Sequence, residues 1–78
     1  MKVKITKPNS ILFEGDVKLV QLPGTGGKFE ILENHAPIIS TLESGDIRIV
    51  LPDDTEQTYP IRGGVVKGQR NDFMLLVQ

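Results

Sequence analysis

Eight glycines and five prolines divide this 78-residue chain so finely that the longest stretch free of both is the ten residues from Gln69 to Gln78. An average α-helix takes about 11–12 residues, so a helical domain has almost nowhere to form. The chain must instead be built from short extended segments joined by turns. Val3 and Ile5 alternate with Lys2, Lys4 and Thr6, the period-two pattern of a half-buried strand. Val17 to Leu22, Asp46 to Leu51 and Phe73 to Val77 are mostly apolar and rich in branched side chains, as strands beside a core require. Gln57, Tyr59 and Ile61 share one face of a further strand, and Pro60 within it cannot donate to a ladder, which assigns that strand to an edge or bulge.

Turn residues fall between these segments at Pro8-Asn9, Gly15-Asp16, Pro23 to Gly27, Ser44-Gly45, Pro52 to Asp54 and Gly68 to Asp72. Strands at this spacing, roughly 8–12 residues, predict an all-β sandwich or barrel without substantial helix, built as one domain over residues 1–78. A chain this short buries roughly 60% of its unfolded surface, so most apolar residues serve the core and little remains to enclose an active site.

Composition removes several functions. Nine basic and ten acidic residues give a formal charge of −1 with both signs interspersed, which lacks the basic stripe that nucleic acid or an anionic membrane demands. No cysteine is present, so neither a disulfide framework nor a thiolate zinc site is available, and a cytosolic setting is expected. No apolar run approaches the ~20 residues of a membrane span, and Met1-Lys2-Val3-Lys4 leads directly into the first strand without the character of a signal peptide.

The only histidine, His35, sits between Asn34, which tolerates a left-handed turn, and Ala36-Pro37. One imidazole without a second ligand or an orienting partner supports neither metal ligation nor acid–base chemistry, so His35 reads as a turn or interface residue that donates to a backbone carbonyl. Gly24-Thr25-Gly26-Gly27-Lys28 has the look of a phosphate cradle, but Phe29 stands where a P-loop needs serine or threonine, and a strand follows rather than a helix. It reads as a loop at a sheet end, free to make contacts. Asp53-Asp54 belongs to a solvated turn, and Gly63-Gly64 reads as a bulge. No cofactor or catalytic set is indicated.

The order of motifs carries more than any one of them. Leu12-Phe13-Glu14-Gly15, Leu22-Pro23-Gly24-Thr25, Phe29-Glu30-Ile31-Leu32-Glu33-Asn34-His35-Ala36-Pro37-Ile38-Ile39, Leu42, Gly45-Asp46-Ile47-Arg48-Ile49 and Gly63-Gly64-Val65-Val66 together resemble the amino-terminal β-sandwich domain of F-type ATP synthase epsilon subunits, from Val3 to Val77. The resemblance implies a sandwich of two antiparallel sheets in the central stalk of the rotor, without catalytic residues or cofactors. It implies binding to the gamma subunit through His35, Ala36, Pro37 and Ser40, and to the ring of c subunits through Thr25, Gly26, Gly27 and Lys28. The expected location is peripheral, on the cytoplasmic face of the bacterial inner membrane. The family often has glycine at position 30 and proline-glycine at 33–34, and position 28 is commonly acidic; Glu30, Glu33-Asn34 and Lys28 depart from that pattern. Relatives commonly continue into a helical hairpin that inhibits ATP hydrolysis; ending at Gln78, this sequence implies a subunit without those helices. The competing reading is a free-standing β-sandwich that binds a peptide or glycan, which needs an aromatic platform from among Phe13, Phe29, Tyr59 and Phe73.

Overall fold

The computed structural model describes residues 1–78 and contains nine strands and no helix. They are β1 (Lys2–Lys7), β2 (Ser10–Asp16), β3 (Leu19–Gly24), β4 (Gly27–Leu32), β5 (Ile38–Leu42), β6 (Gly45–Val50), β7 (Glu56–Ile61), β8 (Gly64–Gln69) and β9 (Asp72–Val77). Hydrogen bonding runs continuously in the order β2-β1-β9-β8-β5-β3-β6-β7, with β4 on the far side of β3. The link between β5 and β3 is a single pair, Gly24 opposite Leu42. The path folds over at that point, so β2-β1-β9-β8-β5 and β4-β3-β6-β7 become two layers joined along one corner.

The alternation predicted from sequence sets which side chains enter the sandwich. Val3 and Ile5 of β1, Val20 and Leu22 of β3, Ile47 and Ile49 of β6, and Phe73, Leu75 and Val77 of β9 all point inward and are buried. With Ile31, Leu42, Ile61, Val66, Met1 and Val17 they form one cluster, and no polar or charged side chain is buried. The main driving force for the fold is this removal of branched apolar surface from water, about 25 cal/mol per Å².

Several local expectations shift. Pairing is antiparallel throughout except between β1 and β9, which run parallel. A parallel pair needs a long crossover, and here everything from β2 to β8 supplies it. The strand expected from Val17 begins at Leu19, because β2 extends through Gly15 and Asp16 and the turn falls at Val17-Lys18. Pro23 and Gly24 are buried strand residues rather than loop, since a Cβ on Gly24 would lie 2.6 Å from the ring of Phe29. The Gly63-Gly64 step does not shift the register of β8 against β5 or β9. Gly64 is required because β9 passes so near that a Cβ would sit 2.3 Å from the carbonyl oxygen of Leu76. The irregularity in the ladder lies instead between Ile5 and Thr6. Strand β7, which carries Pro60, ends the sheet as expected.

Candidate functional site: two contact surfaces at opposite ends of β4

The first surface surrounds the turn from β4 to β5. Asn34 takes φ 63°, the left-handed conformation its sequence position suggested. Its backbone N–H donates to Asn71 Oδ1 at 2.6 Å, and Asn71 Nδ2 donates to Asn34 Oδ1 at 3.0 Å. Asn71 and Arg70 form the two-residue β8–β9 turn, both with positive φ, the type I′ geometry that suits the twist of a hairpin. The two turns are thus fastened to each other.

His35 follows immediately. Its ring is half-buried, edge-on to Phe73 with centroids 6.2 Å apart, and Nδ1 lies 2.7 Å from the carbonyl oxygen of Ala36, to which it donates. The imidazole therefore packs on the core and braces its own turn. Ala36 and Pro37 are exposed beside it. Ser40 is half-buried opposite Val66, on the inward side of β5.

The outward residues of β5 were not singled out in the sequence, and they lead to a larger feature. Register carries a single line across five strands, from Thr41 to Val65, Leu76, Thr6 and Ile11. A second line beside it runs Ile39, Lys67, Met74, Lys4 and Glu14. Ile39 is 76% exposed, Ile11 56% and Leu76 42%, the outer layer of a sheet whose inner face is already fully packed. Exposed apolar side chains grouped on one face make it a candidate interaction surface, shared here with Thr41, Thr6, Lys67, Lys4 and Glu14. The signal was present in sequence as Leu76 and Ile39 within apolar runs, but without the register nothing shows that they lie on one face.

The second surface is the β3–β4 hairpin. Its turn is only Thr25-Gly26; Gly27, with φ 125°, and Lys28 belong to β4. Thr25 N–H donates to the carbonyl oxygen of Thr41 at 3.2 Å and the two threonine hydroxyls meet at 2.9 Å, so the hairpin is pinned to the corner where the layers join. A Cβ at Gly26 or Gly27 would meet nothing within 4 Å, and the tip stands free in solvent. Strand β4 separates this tip from the His35 turn by roughly 20 Å, the length of a six-residue strand.

No three histidine or carboxylate side chains converge as a metal site. Phe73 lies in the core, and Phe13, Phe29 and Tyr59 are partly buried against that core, Phe13 and Tyr59 tilted toward each other with centroids 6.5 Å apart. The only titration shift of note is remote: Asp53 is held below its ordinary value by hydrogen bonds from the hydroxyl and the backbone N–H of Thr55 in the β6–β7 turn.

These features define a small β-sandwich with exposed Ile39, Ile11 and Leu76 on one outer sheet face and an exposed hairpin tip. Residues 1–78 match the model of the ATP synthase delta/epsilon chain β-sandwich domain, and the chain belongs to that family. It is 36% identical over 77 residues to the ATP synthase epsilon chain of Chlorobium limicola, covering 99% of this chain and 88% of that one. It is 41% identical over 80 residues to the epsilon chain of Rickettsia typhi, covering 100% of this chain and 73% of its relative. Against the epsilon chain of a Nitratiruptor species it is 38% identical and spans 60% of that chain. In the solved structure of the mitochondrial ATP synthase OSCP/F1/c-ring assembly from Euglena gracilis, one chain shares the fold with a TM-score of 0.90 at 14% identity, over 96% of this chain and 48% of that one.

Proposed function

We propose that this chain is a non-catalytic subunit of the central stalk of a bacterial ATP synthase, peripheral on the cytoplasmic side of the membrane. It joins the gamma subunit to the ring of c subunits, so that ion-driven rotation reaches the catalytic subunits as torque. Membership of the epsilon family supports the assignment, as does a solved Tetrahymena thermophila central stalk and c-ring assembly that contains a chain of this fold at TM-score 0.83.

The observation that carries the reading is the line Thr41–Val65–Leu76–Thr6–Ile11 with Ile39 beside it. The gamma subunit covers this face and the adjoining Ala36-Pro37 turn, while the hairpin Thr25 to Lys28, at the other end of β4, meets the ring. His35 and Ser40, both half-buried, shape that surface from beneath rather than supply its exposed area. The hairpin is pinned to that face by the Thr25–Thr41 hydrogen bonds, so a load passes between the two contacts without bending a loop. The sandwich loses little conformational freedom when it docks, which favours binding.

The test is reconstitution. Synthase assembled without this chain loses the coupling of ion flow to ATP synthesis and regains it when the chain is added back. Coupling that is the same with and without the chain refutes the assignment.

A further inference from the structure

Three strands have a single neighbour and so leave an edge open: β2, β4 and β7. Their edges differ in what they offer a second strand. Strand β7 contains Pro60, which has no N–H to donate, and its one charged side chain is Glu56. Strand β2 carries only acids, Glu14 and Asp16. Strand β4 alone carries both signs, with Lys28 and Glu30 two positions apart on one face and both exposed.

Register shows which backbone groups of β4 are open. Pro23 lies opposite Lys28 but has no N–H, and its carbonyl accepts from Glu43 N–H at 2.8 Å, on the side of β3 away from β4. Lys28 therefore holds a non-hydrogen-bonded position against β3, and by the alternation of an antiparallel ladder so do Glu30 and Leu32. The N–H and C=O groups of these three residues point away from the sheet. Of the six, only the Leu32 carbonyl is taken, by His35 N–H at 3.2 Å. The side chains are uncommitted as well. Lys28 joins no ion pair, and Glu30 reaches Arg48 only at 3.9 Å, where Glu56 already binds at 2.9 Å.

We infer that the free chain pairs with a second copy of itself along β4, antiparallel about a two-fold axis through Phe29. In that register Lys28 of each copy lies opposite Glu30 of the other. Both residues then exchange their backbone hydrogen bonds across the axis, and two opposite-charge pairs form. Phe29 meets its counterpart on the axis, at a closely spaced pair that suits two aromatic rings. Leu32, 52% exposed, falls beside Gly26 of the other copy, which has no side chain to obstruct it. Strand β2 has no cation to set against its acids. A two-fold contact closes on itself, so it covers the edge without templating further chains. The inference concerns the free chain and stands apart from the stalk assignment.

A strand pair this short buries less than a standard interface, so a weak dimer is expected, half-formed at roughly 100 µM chain. Sedimentation equilibrium from tenfold below to tenfold above that concentration reads it. Lys28→Glu and Glu30→Lys should each weaken dimerisation about tenfold, and the double variant carrying both should restore it. At high concentration, backbone hydrogen exchange should slow at Lys28, Glu30 and Leu32 and change little at Phe29 and Ile31, which are already bonded to β3. A chain that stays monomeric throughout overturns the proposal, as does a dimer that the single substitutions leave intact. A dimer that the double variant fails to restore overturns the register.

Discussion

Asn34 and Asn71 stand 37 positions apart in sequence, and each hydrogen-bonds the other across two turns that both use left-handed backbone. Asn34 aims the segment leading to Ala36-Pro37, and Asn71 closes the hairpin that carries Phe73, the ring on which His35 rests. The direction of the candidate gamma-binding turn therefore depends on a residue at the other end of the chain. Asn71→Ala removes a side-chain acceptor and donor and also places alanine at φ 64°, so it should cost about 2 kcal/mol. Asn71→Gly keeps the backbone conformation and should cost about 1 kcal/mol. Urea denaturation of the two variants separates the hydrogen bonds from the backbone strain, and equal losses would show that only one of them matters.

The glycines fall into two kinds, and substitution should expose the difference. A Cβ on Gly68 would lie 2.3 Å from the carbonyl oxygen of Asp72 and 2.7 Å from the ring of Phe73, whereas one on Gly26 would meet nothing within 4 Å. Gly68→Ala is expected to lose about 2–3 kcal/mol through forced displacement of β9. Gly26→Ala should stay within about 0.5 kcal/mol of the parent. Thermal unfolding of both checks the contrast.

Ile39 is the most exposed large apolar side chain of the molecule, and its neighbour Leu42 is buried. Ile39→Asp should leave the melting temperature nearly unchanged and weaken binding to the gamma subunit at least tenfold in a titration, the size of effect that central apolar anchors show. Ala36→Asp, on the same exposed surface, should act in the same direction. Unaltered affinity in both variants would move the gamma contact to another face.

Asp53 gives the expected pH dependence a definite sign. Its folded-state pKa lies below the ordinary value of 3.8 because Thr55 hydrogen-bonds the ionised carboxylate. A depressed folded value means that its contribution to stability is present above pH 3.8 and is lost as the pH falls through the lowered value. Thr55→Val, which removes the hydroxyl donor, should therefore be less stable than the parent near neutral pH. The difference between the two should shrink in strong acid. Melting curves from pH 7 downward test this, and a gap of constant size would show that the hydroxyl acts by some other route.

The β architecture was legible because it depends on local chemistry. Glycine and proline forbid long helices wherever they fall, and Val3-Ile5 or Phe73-Leu75-Val77 show their inward faces by period alone. The left-handed turn at Asn34 was legible for the same reason, since a short polar side chain is what that conformation tolerates. Misplaced boundaries had a common cause. Gly24 was read as loop and Gly63-Gly64 as a bulge because glycine is ambiguous in sequence: it marks either a turn or a backbone passing close by, and only the neighbouring strand tells which.

The candidate site divides along the same line. Thr25 to Lys28 and the His35 turn could be found from sequence, as punctuation between strands with chemistry that led nowhere else. That Thr6, Ile11, Thr41, Val65 and Leu76 share one outer line could not, because they belong to five strands whose order, β2-β1-β9-β8-β5, bears no simple relation to their order in the chain. Nor could sequence show that β4, with Lys28 and Glu30, forms an open edge. Sequence by itself determined strand content, the inward face of each strand and the conformation of the tightest turns, because these follow from a residue and its immediate neighbours. Tertiary structure alone decided which outward faces join into a surface, because side-chain neighbours across a sheet are set by long-range register rather than by position along the chain.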